Sequence, residues 1–445
     1  MMKKIKLFSK LKQSSFFFQK KALIKLIAIM IGLIIVLNFT SIRENARKNL
    51  PPGFKNYVKK IFFGEQYLKE IKTYRIQNYN AKTLPETEFL RIKFEKVLVK
   101  GLEETDKLNY NKLQKAGLLV KKFFIENNNG DLIAISSLGK IVNYKNFNLN
   151  NGYKIDSNLE DFKLFSVLDS KVIDDLIFLT ISSDYDLKKE CSYFKIIKSK
   201  LNKKKLHFEN FFTSNNCIGN VQGGRIVDYN FRGKKGLLVT TGAIEKESKF
   251  AQDNDSQLGK TLFFKMNGES EIYSKGHRNP QGLTVVEDNI ILQTEHGPYG
   301  GDEINKIIYK KNYGYPISSY GEPYEYKKKI KKNISNSNLK YSYKKNHKEL
   351  AYEEPIFSFV PSIGISQIVK VPNKFSPLWK DNFLVSSLNG RSLYRIKFDN
   401  EYSKILFIEK IYIGERIRDV FIGPNERKIY LALETTGSIG FIQSQ

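Results

Sequence analysis

The sequence predicts an all-β fold of many short strands, and its length favours a propeller over a sandwich or a closed barrel. Three observations carry this expectation. From about residue 86, short runs rich in Ile, Val, Phe, Tyr and Leu alternate with turns of Gly, Asn, Asp and Lys. No long amphipathic pattern interrupts them, which disfavours parallel βαβ units. The strands continue to the end of a 445-residue chain, more than one sandwich uses. The runs 89–99, 132–141, 172–182, 235–241, 262–266, 289–294, 383–387, 392–398 and 428–433 are each expected as a strand. A weak shared plan links some of them, as in Gly130-Asp131-Leu132-Ile133-Ala134-Ile135 and Lys428-Ile429-Tyr430-Leu431-Ala432-Leu433. It is too blurred to count blades.

The N-terminus reads differently. Lys3, Lys4, Lys6, Lys10, Lys12, Lys20, Lys21 and Lys25 occur there without an acid, and an apolar run from Leu26 to Leu37 follows. Residues 1–21 are expected as a cytoplasmic basic tail and 22–41 as a transmembrane signal-anchor, with Lys25 snorkelling. The charge bias orients the rest of the chain to the outer side, periplasmic or extracytoplasmic. A cleaved signal peptide is the rival reading. Against it, Asn38-Phe39-Thr40-Ser41 offers no pair of small residues of the usual cleavage pattern. Residues 42–85, polar and basic with Pro51-Pro52 and a helical stretch at 57–74, are expected as a linker or stalk. Residues 86–445 are expected to form the propeller.

Lys and Arg total 74 against 46 Asp and Glu, a formal charge of +28. The lysines are spread over the whole chain among Asn, Ile, Tyr and Phe, and no nucleic-acid motif accompanies them. A dispersed, solvated charge is expected, with no nucleic-acid partner. The two cysteines, Cys191 and Cys217, are too few for a disulfide scaffold and lack metal-knuckle spacing. Export favours a single disulfide between them. Two separate buried thiols are the alternative.

Two runs stand out from the Lys/Asn background. One is Gly276-His277-Arg278-Asn279-Pro280-Gln281-Gly282-Leu283. The other is Glu295-His296-Gly297-Pro298-Tyr299-Gly300-Gly301-Asp302-Glu303-Ile304-Asn305, followed by Asn312-Tyr313-Gly314-Tyr315-Pro316. Gly and Pro fix backbone directions, so that carbonyls and amides can be aimed at a ligand. Structural turns would need the same residues.

These runs resemble the signature of the glucose/sorbosone dehydrogenase family, soluble aldose dehydrogenases that use pyrroloquinoline quinone (PQQ). The likeness extends through Trp379-Lys380-Asp381-Asn382-Phe383-Leu384-Val385-Ser386-Ser387-Leu388 and Arg416-Ile417-Arg418-Asp419-Val420, and covers roughly residues 115–440. It implies a six-bladed propeller with the cofactor on its top face. By the same resemblance Arg278 and Asn279, with Gln281 nearby, contact the quinone. The main-chain oxygens of Gly297 and Pro298 would hold calcium, a cation that prefers hard oxygen donors. Arg416 and Arg418 would clamp cofactor carboxylates from one strand face. Asp302 would either bind the metal or brace its loop.

The departures are as specific. The family's catalytic His-x-Gly-Gly-Arg run is Val221-Gln222-Gly223-Gly224-Arg225 here, so Val221 replaces the base. The Asp that orients that His is replaced by Ala243 in Thr240-Thr241-Gly242-Ala243. Base catalysis of this kind is typically worth ~10²–10⁴-fold. Asn389 stands where the family has a Lys at the quinone, and the Gly-rich run of blade two is blurred at 160–165. Of the four histidines, His207 and His347 lie in Lys-rich segments and are expected to be solvated; the resemblance implies structural parts for His277 and His296, with service as a substitute base as the alternative. With the N-terminal anchor and these departures, the resemblance leads to the expectation of a membrane-anchored dehydrogenase of a sugar or alcohol, with catalysis impaired or altered. The alternative is an inactive propeller that binds a ligand or acts as a scaffold. The electron acceptor is unspecified.

Overall fold

The computed structural model of the protein describes residues 90, 92–99 and 122–444, apart from 187–190, 203, 220, 288–289, 324–342 and 345. The chain divides into two compact units, Met1–Arg75 and Ile76–Gln445, and every described residue lies in the second. The expected basic tail, anchor and linker therefore fall outside the described residues. Among the described residues, no helix is long and apolar enough to cross a membrane.

The strands form six sheets, antiparallel apart from one short parallel pair, the six blades that the resemblance implies. After β1 (Ile92–Leu98), the first blade holds β2 (Phe123–Asn128), β3 (Asp131–Ser136), β4 (Ile141–Tyr144) and β5 (Gly152–Ser157). The second holds β6 (Leu164–Ile173), β7 (Leu176–Asp186), β8 (Cys191–Lys200) and β10 (Glu209–Ile218), while β9 (Lys205–Leu206) pairs in parallel with β5 of the first. The third is β11 (Gly223–Phe231), β12 (Lys234–Thr241), β13 (Lys260–Lys265) and β14 (Ser270–Lys275). The fourth is β15 (Pro280–Val286), β16 (Ile290–Glu295), β17 (Asp302–Ile307) and β18 (Phe357–Phe359). The fifth is β19 (Ile365–Lys370), β20 (Asn382–Ser387), β21 (Ser392–Phe398) and β22 (Ile405–Tyr412). The sixth is β23 (Ile417–Ile422), β24 (Lys428–Leu433) and β25 (Ser438–Ser444), with β1 as its outer strand.

That last pairing closes the ring. β1 runs antiparallel to β25 from Ile92↔Ser444 to Leu98↔Ser438, so both ends of the described propeller are held in one sheet. The first strand of each blade contacts the first strand of the next, and β23 returns to β2. Each blade is thus packed on both faces by its neighbours. This explains why middle strands such as β3 and β20 are buried at every position. Strands covered on both faces read as continuous apolar runs rather than as strict alternation.

Two expected strands are each a pair joined by a tight turn. The run 132–141 crosses from β3 into β4 with Gly139 at φ +83°, and 172–182 crosses from β6 into β7 with Asp174 at φ +55°. Asp tolerates the left-handed region, and with apolar residues on both sides the turn left little trace in composition. Cys191 and Cys217 form a disulfide that links β8 to β10, and are not two separate thiols. The blurred segment at 160–165 contains the end of a short 3-10 turn, Leu159–Phe162, with Lys163 left-handed after it.

Candidate cofactor site

The first strands of the blades begin at one end of the ring, and their opening residues make its mouth. Arg225 of β11 organises the centre. Its Nη1 donates to Asp419 Oδ1 of β23 at 2.8 Å and to Asp169 Oδ1 of β6 at 3.1 Å. Its Nε donates to the Gln281 carbonyl of β15 at 2.6 Å, and its Nη2 to the Arg418 carbonyl at 2.7 Å. Ser366 Oγ of β19 donates to the same Arg418 carbonyl, and Asp419 Oδ2 accepts the Ile125 amide of β2. All six blades are tied together by this buried cluster. Burial pushes Asp169 up to about 7, although Arg225 beside it pulls the other way.

Arg418 leads outward from this centre. Its Nε donates to Glu434 Oε1, and its Nη1 to Gln281 Oε1 at 2.7 Å. Arg416, just ahead of β23, donates from Nε to Glu434 Oε2 at 3.1 Å, so the two arginines share one fully buried carboxylate although the strand register is irregular between Ile417 and Asp419. Burial alone would raise Glu434, but Arg418 and Arg416 overcome it and hold the group below the usual carboxylate range. Arg416 is the more exposed of the pair, with 30% of its side chain accessible against 9% for Arg418.

Gln281 connects this pair to the first motif. Its Nε2 donates to Asn279 Oδ1 at 2.7 Å, and the same oxygen accepts the Gly223 amide at 3.2 Å. Asn279 and Gln281 are buried and hold strand ends in register. Next to them Arg278 Nη1 donates to the His296 carbonyl at 3.1 Å, and its guanidinium stands 6.0 Å from the Tyr315 ring centre. The loop after His296 turns tightly. A Cβ on Gly297 would come within 2.2 Å of the carbonyl oxygens of both Gly300 and Gly301, so only glycine fits. Asp302 spends both oxygens on backbone, accepting the Gly297 amide at 3.1 Å and the Ile365 amide at 3.0 Å. It braces the loop.

A cavity of about 560 Å³ lies against this loop, lined among others by His296, Gly297, Pro298, Asp302, Gly364 and Asn389. Asn389, exposed at the turn between β20 and β21, thus faces the second motif. Among the described residues no group of three or more His, Cys, Asp or Glu is disposed to hold a metal. Carbonyl oxygens are the hard donors that this loop offers.

Val221 and Ala243 sit beside Arg278. The Ala243 amide donates to the Arg278 carbonyl at 2.9 Å, and the Gly242 amide to the Gln222 carbonyl at 2.9 Å. Both side chains are buried in one apolar cluster with Leu168, Ile226, Leu258 and Tyr315. Their neighbourhood is packed hydrocarbon, and neither offers a proton acceptor.

Two of the histidines take the structural parts expected of them. His277 is fully buried, bonded to Ser274 Oγ and Glu295 Oε2 and stacked on Tyr313. His296 donates from Nε2 to the Ile365 carbonyl; burial lowers its pKa, with Arg418 and Arg278 adding to the shift and Asp302 opposing it. His207 is exposed. His347 is not solvated as expected. It is 1% exposed, stacked on Tyr320 and bonded to Ser318 Oγ, while Lys344 and Lys348 beside it are exposed.

Three residues of the mouth escape a sequence reading. Glu434 has no local motif. Arg225 reads only as the end of a Gly-Gly-Arg run. Lys122, just ahead of β2, is one lysine among many.

The family model described as Glucose / Sorbosone dehydrogenase matches residues 121–440. The aldose sugar dehydrogenase YliI of Escherichia coli (strain K12) is 30% identical over 238 residues, which is 50% of this chain and 59% of that protein. The chain spans about half the length of the curated relatives it matches. The apo-form structure of the soluble aldose sugar dehydrogenase from Escherichia coli superposes with a TM-score of 0.62 at 21% identity, covering 80% of this chain and 100% of that one. The PQQ-bound aldose sugar dehydrogenase from Streptomyces coelicolor gives 0.56 at 16% identity, covering 79% and 99%. At these identities the structures speak for the fold alone. The family model, however, spans well over half of the sequence, and the chain belongs to the glucose/sorbosone dehydrogenase family.

Proposed function

We propose that this protein binds PQQ with calcium at the mouth of its propeller and acts on a sugar or other alcohol outside the cytoplasmic membrane, with catalysis impaired or altered. One observation carries the reading: a chain of hydrogen bonds links these residues, with Arg278 bonding the His296 carbonyl just ahead of the Gly297–Pro298 loop and Gln281 joining the Arg416–Glu434–Arg418 unit to Asn279. The donor set suits the group. PQQ is a flat tricarboxylic acid, and guanidiniums held in fixed orientation bind carboxylates in paired fashion. Calcium would rest on the Gly297 and Pro298 carbonyls, whose loop Asp302 holds in shape. Bound, PQQ would supply a two-electron acceptor. The chain itself would orient that acceptor, neutralise its carboxylates through Arg416 and Arg418, and set Arg278 against its polar edge.

The impairment follows from Val221 and Ala243. Where the family resemblance expects a His and an Asp, the site has apolar packing. That packing also favours a second reading, a propeller that retains ligand binding without turnover. The anchor at 22–41 and an outer location belong to the same proposal, and the Cys191–Cys217 disulfide suits an oxidising compartment.

The test is titration of the purified protein with PQQ and Ca²⁺, followed by dye reduction with a panel of aldoses. Saturable, calcium-dependent PQQ binding with slow or no turnover is expected. Turnover that appears in Val221→His/Ala243→Asp would identify a site disabled at its base. Absence of PQQ binding would remove the reading. Ordinary enzymatic rates in the unaltered protein would remove the impairment.

A further inference from the structure

The mouth contains a cation that no described carboxylate neutralises. Lys122 stands one residue ahead of β2 and is half-buried. Its Nζ lies 5.3 Å from the centre of the Phe124 ring, and the Arg225 guanidinium carbon lies 5.3 Å from the same centre. Phe124 is buried, so one fixed aromatic ring carries both cations. The charged groups around Lys122 come from every neighbouring element. Arg418 of β23, Glu434 after β24, Arg225 of β11 and Asp169 of β6 act on it directly. Asp419 and Arg416 are bonded to members of that set. Further along β2, Glu126 faces Lys171 of β6 at 3.5 Å and forms a separate pair.

The carboxylates nearest to Lys122 are already engaged by arginines. Asp169 and Asp419 both hold Arg225, and Glu434 holds Arg416 and Arg418. Lys122 has no ion-pair partner among the described residues. We propose that Lys122 is a ligand-binding residue of the mouth, a cation left open for a carboxylate of the acidic ligand. The inference rests on the cofactor reading above and adds a residue to it. The electrostatics agree with it. Burial, with Arg418 next, lowers the Lys122 amine to about 7, so it is only partly charged in the free protein near neutral pH. An arriving carboxylate favours the ammonium and raises that value.

The experiment is calorimetric titration of the calcium-loaded protein with PQQ at pH 8 in two buffers of different ionisation enthalpy. The unaltered protein, Lys122→Met and Lys122→Arg are compared. Asp169 titrates in the same range, so the methionine variant is the comparison that isolates Lys122. Proton uptake is expected on binding to the unaltered protein and less of it with Lys122→Met, whose affinity falls roughly tenfold. Lys122→Arg is expected to restore affinity without the extra proton. Equal affinity and equal uptake in the methionine variant would overturn the role of Lys122 and leave the cofactor reading standing. No PQQ binding at any pH would overturn both.

A measurement without ligand stands beside it. A lysine whose folded value is depressed is bound by more protons in the unfolded chain, so stability rises with pH between the folded and unfolded values. The stability of the unaltered protein relative to Lys122→Met is therefore expected to increase from pH 7 towards 10.5. A flat difference over that range would contradict the partly charged lysine on which the proton uptake depends.

Discussion

Arg225 and Asp419 meet at 2.8 Å, although 194 residues separate them in the chain. The contact joins the third blade to the sixth across the axis of the ring, and both side chains are buried. A buried guanidinium is tolerated only when its donors are satisfied. Here Nε, Nη1 and Nη2 all find acceptors on other blades. Truncation would leave Asp169 and Asp419 as uncompensated buried carboxylates. Arg225→Met is expected to destabilise the propeller by about 3–5 kcal/mol. Urea denaturation followed by intrinsic fluorescence measures it. An Asp169→Asn/Asp419→Asn background should recover part of the loss, because the orphaned charges are then gone. A loss that persists in full in that background would mean that Arg225 acts through packing on Phe124 instead.

How far the sequence revealed this arrangement depends on the kind of signal. The strands were legible because short apolar runs between Gly, Asn and Asp turns are a local property, whereas the six blades came only from the family resemblance. The hairpins at 136–141 and 173–176 were blurred because their turn residues are few and lie between apolar strands. The loop at Gly297 and Pro298 was legible because so much glycine and proline stands out from a Lys/Asn background. Arg416 and Arg418 were singled out by the family resemblance. Their shared partner Glu434 did not, because a carboxylate in a turn after a strand has no signature until the chain folds. His347 was misread for the opposite reason: neighbouring lysines suggested solvent, yet the imidazole packs on Tyr320. Composition reports a segment's average exposure and says little about one side chain that turns inward.

The disulfide adds a second testable feature. Cys191 and Cys217 enclose a separation of 26 residues between neighbouring strands of the second blade. In the chain-entropy model a loop of this size contributes about 3 kcal/mol through restriction of the unfolded chain. Cys191→Ser/Cys217→Ser is expected to lose stability of that order while the spectrum of the folded state is unchanged. Comparison of denaturation midpoints with and without reductant checks the result, since the double variant should be insensitive to reductant. Equal midpoints for the two proteins under oxidising conditions would rule out a stabilising role.

Gly297 provides a test of the loop. Its Cα is so close to the Gly300 and Gly301 carbonyls that any added carbon displaces them. Gly297→Ala is expected to open the turn that Asp302 holds from the other side. Overpacking of this kind costs about 1–3 kcal/mol where the backbone cannot yield. The larger effect falls on ligand binding: calcium-dependent retention of PQQ, followed by equilibrium dialysis over a calcium series, is expected to weaken at least about tenfold. Gly268→Ala serves as the control: it strains a turn at φ +92°, but a Cβ there would meet only one oxygen, at 3.2 Å. Loss of the same size in both variants would show that the 297 loop has no special part in binding.

The final prediction separates charge from orientation at the arginine pair. Glu434 is fully buried and bonds Arg416 and Arg418 through different oxygens. If the mouth held an acidic ligand through net charge alone, removal of this carboxylate would strengthen binding. If orientation governs, removal releases both guanidiniums, and Arg418 then lacks its main counter-charge in a buried setting. Glu434→Gln keeps the shape and one acceptor oxygen, so it isolates that choice. Stability is expected to fall by about 3 kcal/mol, and PQQ affinity by roughly tenfold despite the gain in positive charge. Affinity measured at two salt concentrations completes the test. An orientation effect survives at high salt, whereas a charge effect is screened away. Tighter binding in Glu434→Gln at low salt would assign the pair a purely electrostatic part.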